Sequence, residues 1–190
     1  MEWLSNISWY WIVIVILVLI VLWGISTYNS LVQLRTTVEE SFSTIDVYLQ
    51  KRYDLIPNLV ETVKGYAAHE KETLENVIQA RNQGLSANTT HEKIEANQEL
   101  TSALNRLMVV VEQYPDLKAD QGFRDLQAQL GTMESEIANY RKYYNATVKN
   151  YNIKTEQIPS NIIASIGNFQ KAELFEIEDE SFRSSPNVQF

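Results

Sequence analysis

The chain has 190 residues, no cysteine, and a formal charge of −8 from 16 Lys and Arg against 24 Asp and Glu. Without cysteine it has no disulfide, no thiolate nucleophile and no thiolate metal site. The acidic balance and the lack of a basic stripe argue against nucleic acid as a partner, because phosphate binding needs a cationic face.

From the N-terminus, the first element is the run from Trp9 to Ile25 (WYWIVIVILVLIVLWGI), which is free of charged, amide and hydroxyl side chains apart from Tyr10. As a helix it covers ~25 Å, and with its polar flanks it reaches the ~30 Å of a bilayer core. It is apolar on all sides, which suits lipid better than one packed face. Trp9 and Trp11 at one end, and Trp23 and Tyr28 at the other, stand where aromatic belts form and are the expected membrane-anchor residues. Met1 to Ser8 holds no Lys or Arg, and Trp23-Gly24-Ile25 offers no small-residue cleavage pattern, so the expectation is a retained, single span. Only Arg35 lies near the end of the span, which leans weakly towards a cytoplasmic C-terminal domain.

Helical stripes follow. Leu31, Leu34, Val38, Phe42, Ile45 and Leu49 recur at helical spacing and begin close enough to the span to continue it. Asp54-Leu-Ile-Pro57-Asn58 interrupts them, and a tight reversal is placed there, with a kinked continuous helix as the competing reading. A second stripe runs through Leu59, Val60, Val63, Ala67, Leu74, Val77 and Ile78, and Gly84 to Thr90 reads as a loop. Thr89 and Glu92 have capping-box spacing, so a third helix should start there, carry Ile94, Leu100, Leu104, Leu107, Met108 and Val111, and stop at Tyr114-Pro115-Asp116. Phe123, Leu126, Leu130, Met133, Ile137, Tyr140, Tyr144, Val148 and Tyr151 form the most regular stripe, the seam pattern of left-handed helix packing.

These patterns predict an all-α fold: an N-terminal transmembrane helix followed by an up-and-down antiparallel four-helix bundle with long helices. A coiled-coil oligomer using the same seams is the alternative. The expected divisions are 1–28 for the N-terminal segment and span, 29–157 for the bundle, 158–175 for a short docking segment and 176–190 for an acidic mobile tail. In the docking segment Ile162, Ile163, Ile166 and Phe169 make an apolar face too short to stand alone.

The wording of the sequence resembles the bacterial LemA family. The stretches that carry the resemblance include Tyr28-Asn29, Asp54-Leu-Ile-Pro57-Asn58-Leu-Val60, Val63-Lys64-Gly65-Tyr66, Ala68-His69-Glu70, Ala80-Arg81, Tyr114-Pro115-Asp116 and Pro159-Ser160-Asn161. The family-motif residues are therefore Tyr28, Asn29, Asp54, Pro57, Asn58, Lys64, Gly65 and Tyr66. The resemblance implies a membrane-tethered helical bundle with no established enzymatic activity, a place in the bacterial cell membrane, and a pointer to a membrane protease or a phosphatase-like protein as partner. Some relatives look like lipoproteins with a Gly-Cys before the Tyr-Asn, whereas Gly24 to Tyr28 here contains no Cys, so a lipid anchor does not carry over. Those relatives also favour an exported bundle, against the charge argument, and the side of the membrane stays open. Ile158 stands before Pro159 where the family has an aromatic.

Independently of the resemblance, the sequence lacks the motifs of the common catalytic sites. His69-Glu70 lacks the second His of a zinc-protease helix, and no Glu stands three residues before His69 or His91 as a di-iron site needs. Glycine-rich phosphate loops and nucleophile elbows are absent from the sequence. No catalytic, cofactor-binding or metal residue is therefore assigned. Glu39-Glu40, Lys51-Arg52 and Arg141-Lys142 read as solvated faces, with a sharper alternative in which Asp46, Asp54 and Asn58 pair with Lys51 or Arg52. Tyr140, Tyr143, Tyr144 and Tyr151 read as core and rim packing. The C-terminal Val188 and Phe190 are candidate partner-binding residues, in the manner of a peptide that adds to a sheet edge. Together these features point to a non-enzymatic membrane scaffold that binds the lipid bilayer and self-associates, or to an adaptor of a membrane-bound protease or phosphatase-like protein.

Overall fold

A computed structural model describes residues 9–175. Val188, Phe190 and the acidic tail lie outside them. The described residues form six helices and no strand: α1 (Trp9–Tyr66), α2 (Lys71–Ser86), α3 (Thr90–Val111), α4 (Pro115–Ala119), α5 (Gln121–Glu156) and α6 (Ser160–Ile166). The all-α class is as predicted, and α1 opens with the one helical stretch, among the described residues, long and apolar enough to cross a membrane. Ile12 through Leu22 are all exposed, as side chains meant for lipid would be.

Four helices after the span were expected, the first of them close enough to the span to continue it, and it does so. Apolar span, first stripe and the Leu59, Val60 and Val63 part of the second belong to one helix of 58 residues; Pro57 lies inside it, so the reversal placed there gives way to the competing continuous helix. A proline in a helix interior leaves the carbonyl four residues earlier without its donor. Here that carbonyl belongs to Tyr53, and Arg81 Nε donates to it at 2.9 Å. The helix survives Pro57 because a side chain from α2 replaces the missing N–H. This predicts a coupling: Arg81→Met should cost ~1 to 3 kcal/mol by leaving the carbonyl bare, and much less in a Pro57→Ala background whose own N–H can bond it. Urea melts of the two single variants and the double variant test it.

Reversal comes instead at residues 67–70. Gly65 weakens the last turn of α1, Lys64 sits favourably at its C-terminal end, and buried Ala67 closes it by donating to the Val63 carbonyl at 2.8 Å. The loop placed at Gly84 to Thr90 contracts to 87–89, because α2 runs on through Gly84 to Ser86. Gly84 stays helical for a packing reason: a Cβ there would fall 2.4 Å from Cζ of Tyr53, so α1 and α2 meet where only glycine leaves room.

The capping box forms as predicted. Thr89 Oγ1 accepts from the Glu92 N–H at 3.2 Å, while the Glu92 carboxylate accepts from the Thr89 N–H at 3.0 Å. These backbone bonds hold the Glu92 carboxyl below its usual range. Pro115 begins the five-residue α4, and Asp120 Oδ1 accepts from the Phe123 N–H at 2.8 Å to start α5. Six of the nine residues in the predicted α5 stripe (Phe123, Leu130, Ile137, Tyr144, Val148 and Tyr151) are buried in the core. Ile78, predicted to be inward, is 40% exposed.

The chain divides into two compact units. One comprises Phe42–Tyr143 with Leu174 and Phe175. Within it Tyr48, Arg52 and Tyr66 of α1 meet Tyr140 and Glu134 of α5 and Asp120 in turn, so α5 runs antiparallel to α1. Asp46 and Arg52 meet Lys93 and Asn97, so α3 runs parallel to α1. The other unit holds α1 up to Ser41 and Tyr144–Glu173. There Ser41 and Thr147 share a hydroxyl hydrogen bond of 3.1 Å, and Tyr28 meets the Phe169 ring edge-on with centroids 5.4 Å apart. After α6 the backbone returns along α5 in an extended path. Tyr151 and Tyr144 donate their hydroxyls to the carbonyls of Gln170 and Glu173, each at 2.8 Å, and the Asn152 amide makes a reciprocal pair with Ala172.

Candidate functional site

The densest buried polarity surrounds Arg52. Ile45, Leu49, Ile56 and Leu59 of α1 form the core stripe, and Arg52 falls between Leu49 and Ile56 at the same helical spacing. Its position therefore directs a guanidinium into the interior, where it is 2% exposed. One terminal nitrogen donates to Asn97 Oδ1 at 2.8 Å and Thr101 Oγ1 at 3.1 Å on α3, and the other pairs with Glu134 on α5 at 2.6 Å. Burial pulls the Arg52 pKa down, with Glu134 opposing, but a guanidinium stays protonated at any ordinary pH. Such a group neither accepts nor gives up a proton in a reaction. It can fix which residues of three helices stand opposite one another.

The solvated reading of Lys51-Arg52 is thus corrected for Arg52, and the pairing proposed near Pro57 is not the one formed. Asp46 pairs with Lys93 at 2.7 Å, Asp54 accepts from Gln50 at 3.1 Å, and Lys51 stands over the Tyr48 ring. The signal for Arg52 was present in its spacing and masked by its residue type.

Tyr53, next in the chain, is 3% exposed, and its hydroxyl finds no hydrogen-bond partner among the described residues. Burial pushes its pKa up to about 12, Arg52 pulling it partly back. A tyrosine held above its ordinary value of about 10 supports the fold fully below that value. The support is lost as pH rises from there through about 12. Tyr53→Phe should leave stability at neutral pH unchanged or slightly raised, and should flatten the alkaline fall; urea melts at neutral pH and at about pH 11 compare the two.

The remaining sequence candidates are dispersed. Trp9, Trp11, Trp23 and Tyr28 are exposed along the start of α1, at 76%, 55%, 40% and 46%. Lys64 pairs with Glu61 on the surface, Gly65 has open space beside it, and Tyr66 donates to Asp120 at 3.1 Å. Asn29, Asp54, Pro57 and Asn58 are exposed, as is His69, while His91 stands 3.3 Å from Glu95. Tyr140 stacks on Tyr48, Tyr144 and Tyr151 are buried, and Tyr143 is exposed. Among the described residues no cluster of acidic and His side chains is placed to hold a metal ion. A groove of about 650 Å³ between α2 and α3 is lined mainly by amides and carboxylates, Asn76, Gln79, Gln83, Gln98, Glu95 and Glu99, with Ser102 and Arg106 beside them.

Comparison with known proteins agrees with the LemA-like wording. The family model described as "LemA family" matches residues 41–190. Magnetosome protein MamQ 2 of Paramagnetospirillum magneticum is 29% identical over 175 residues, covering 78% of this chain and 64% of its own. Magnetosome protein MamQ of Magnetospirillum gryphiswaldense is 25% identical over 174 residues, with the same coverage. Protein LemA of Metamycoplasma hominis is 24% identical over 151 residues, covering 78% of this chain and 66% of its own. The chain thus spans somewhat less than two thirds of the MamQ relatives it matches. The chain belongs to the LemA family.

Proposed function

We propose that this protein is a single-pass, membrane-anchored scaffold without enzymatic activity, built as an up-and-down four-helix bundle that self-associates through exposed helix faces. The observation that carries the proposal is α1, in which an uncharged, exposed apolar run leads within the same helix into residues that pack as core. A helix so made ties a folded unit to a bilayer directly. Anchoring confines encounters to the membrane plane and raises local concentration, so modest contacts suffice for assembly.

The helix directions within the unit around Arg52, with α3 parallel and α5 antiparallel to α1, support the bundle. Ile78 and Leu85 on α2, 40% and 43% exposed and seven residues apart, supply an apolar face for self-contact of the coiled-coil type. The MamQ relatives are named for a place, the magnetosome. Light scattering on detergent-solubilised protein should give homo-oligomers larger than a dimer. A monodisperse monomer would overturn the scaffold, and a small species that recovers a membrane protein in fixed ratio would favour the adaptor.

A further inference from the structure

α6 divides its apolar side chains between two directions. Ala164 is 2% exposed and Ser160 is 5% exposed, so this face is turned inward. The opposite face carries Ile162 and Ile166, 57% and 78% exposed, and Ile158 just before the helix continues it at 79%. Three exposed isoleucines at successive four-residue steps form an apolar strip open to the surroundings among the described residues.

Its place in the unit identifies what covers it. A Cβ added at Gly24 would lie 3.6 Å from Cδ1 of Ile163, so α6 stands beside the C-terminal end of the apolar run. Tyr28, one turn further on, meets Phe169, and the Arg35 guanidinium lies 5.3 Å from the centroid of that same ring. The chain thus comes down α5, turns at α6 level with Gly24, and climbs back past Tyr28 and Arg35. No charged residue occurs from Gln157 to Gln170, while Lys154, Glu156 and Lys171 flank the stretch, and Lys171 pairs with Glu156. A short uncharged helix with an apolar outer strip and charges just behind it is built for the boundary between headgroups and acyl chains.

We propose that the strip formed by Ile158, Ile162 and Ile166 lies in the surface of the bilayer that the apolar part of α1 enters, giving the protein a second lipid contact. This inference rests on the membrane-anchor reading of α1. Lipid is preferred over a second copy of the chain because α6, which carries the strip, stands through Ile163 beside Gly24, near the end of the apolar run from Trp9 to Ile25. The contact would hold α6 against the bilayer by apolar burial, with no lipid headgroup recognised.

The chain lacks cysteine, so one introduced thiol is unique. Ile162→Cys and Ile166→Cys, with Val15→Cys and Asn82→Cys as references, would each be labelled with an environment-sensitive fluorophore in the full chain reconstituted into phosphatidylcholine–phosphatidylglycerol vesicles. The Ile162 and Ile166 labels should lose most of their emission to lipids spin-labelled high on the acyl chain and little to aqueous iodide, and Asn82 should do the reverse. Labels at Ile162 and Ile166 that iodide reaches, with the Val15 label shielded, would overturn the inference and leave the anchor standing. Iodide access at Val15 would overturn the anchor itself. Shielding of Ile162 and Ile166 from both quenchers would overturn the lipid contact in favour of cover by protein.

Discussion

Replacing Arg52 by alanine is expected to lower stability by ~3 kcal/mol or more, the sum of a cavity and of buried acceptors left bare. Asn97 is 6% exposed and loses the donor at its side-chain oxygen, and Thr101 loses its partner as well. The charge that remains is the milder problem, since the Glu134 side chain is 53% exposed and can be hydrated where it stands. Arg52→Met separates the contributions, because it keeps the length of the stem and removes only the polar head; about half the loss of the alanine variant should remain, within the ~1 to 3 kcal/mol of an unsatisfied buried polar group. Adding Asn97→Leu to Arg52→Met should recover part of that loss, as Thr101 can turn its hydroxyl to its own helix backbone. Urea denaturation followed by circular dichroism gives all three. An alanine variant as stable as the parent would show that the guanidinium is dispensable.

Gly84→Val should cost ~1 to 3 kcal/mol, the range for forcing extra atoms into a packed contact. The built Cβ position lies 2.4 to 2.8 Å from Cζ, Oη and Cε1 of Tyr53, whose ring is 3% exposed and has little room to retreat. Gly84→Ala should be milder, since alanine regains up to ~1 kcal/mol of helix propensity over glycine. The decisive comparison is in a Tyr53→Leu background, where the ring is gone and Gly84→Val should cost clearly less. An undiminished cost there would place the penalty in the α2 backbone instead of in its meeting with α1.

How much of this could be read beforehand depends on where each cause lies. Stripes such as Phe123 to Tyr151, and the box of Thr89 and Glu92, are local patterns whose causes sit within a turn or two of the residues themselves, and they were legible. Pro57 was legible only as a choice between a reversal and a continuous helix, because the donor that rescues the helix comes from Arg81, 28 residues beyond Tyr53. Gly84 looked like a loop signal for the same reason, its use being set by a ring on another helix. Arg52 and Ile78 were misplaced in opposite senses: Arg52 was assigned outward by residue type, and Ile78 inward as a member of the second stripe, at whose edge it stands. The segment that holds α6 was expected to dock by a short apolar face, and its position beside Gly24 shows that its isoleucines divide between two sides.

Along residues 170–173, the clamps from Tyr144, Tyr151 and Asn152 grip carbonyl and amide groups of the main chain. Main-chain handles are the same whatever amino acid carries them. Mutation could therefore rewrite most letters of this stretch, proline at Ala172 excepted because it lacks the N–H that Asn152 holds, without altering the route by which the chain leaves α6, provided the three gripping residues stay.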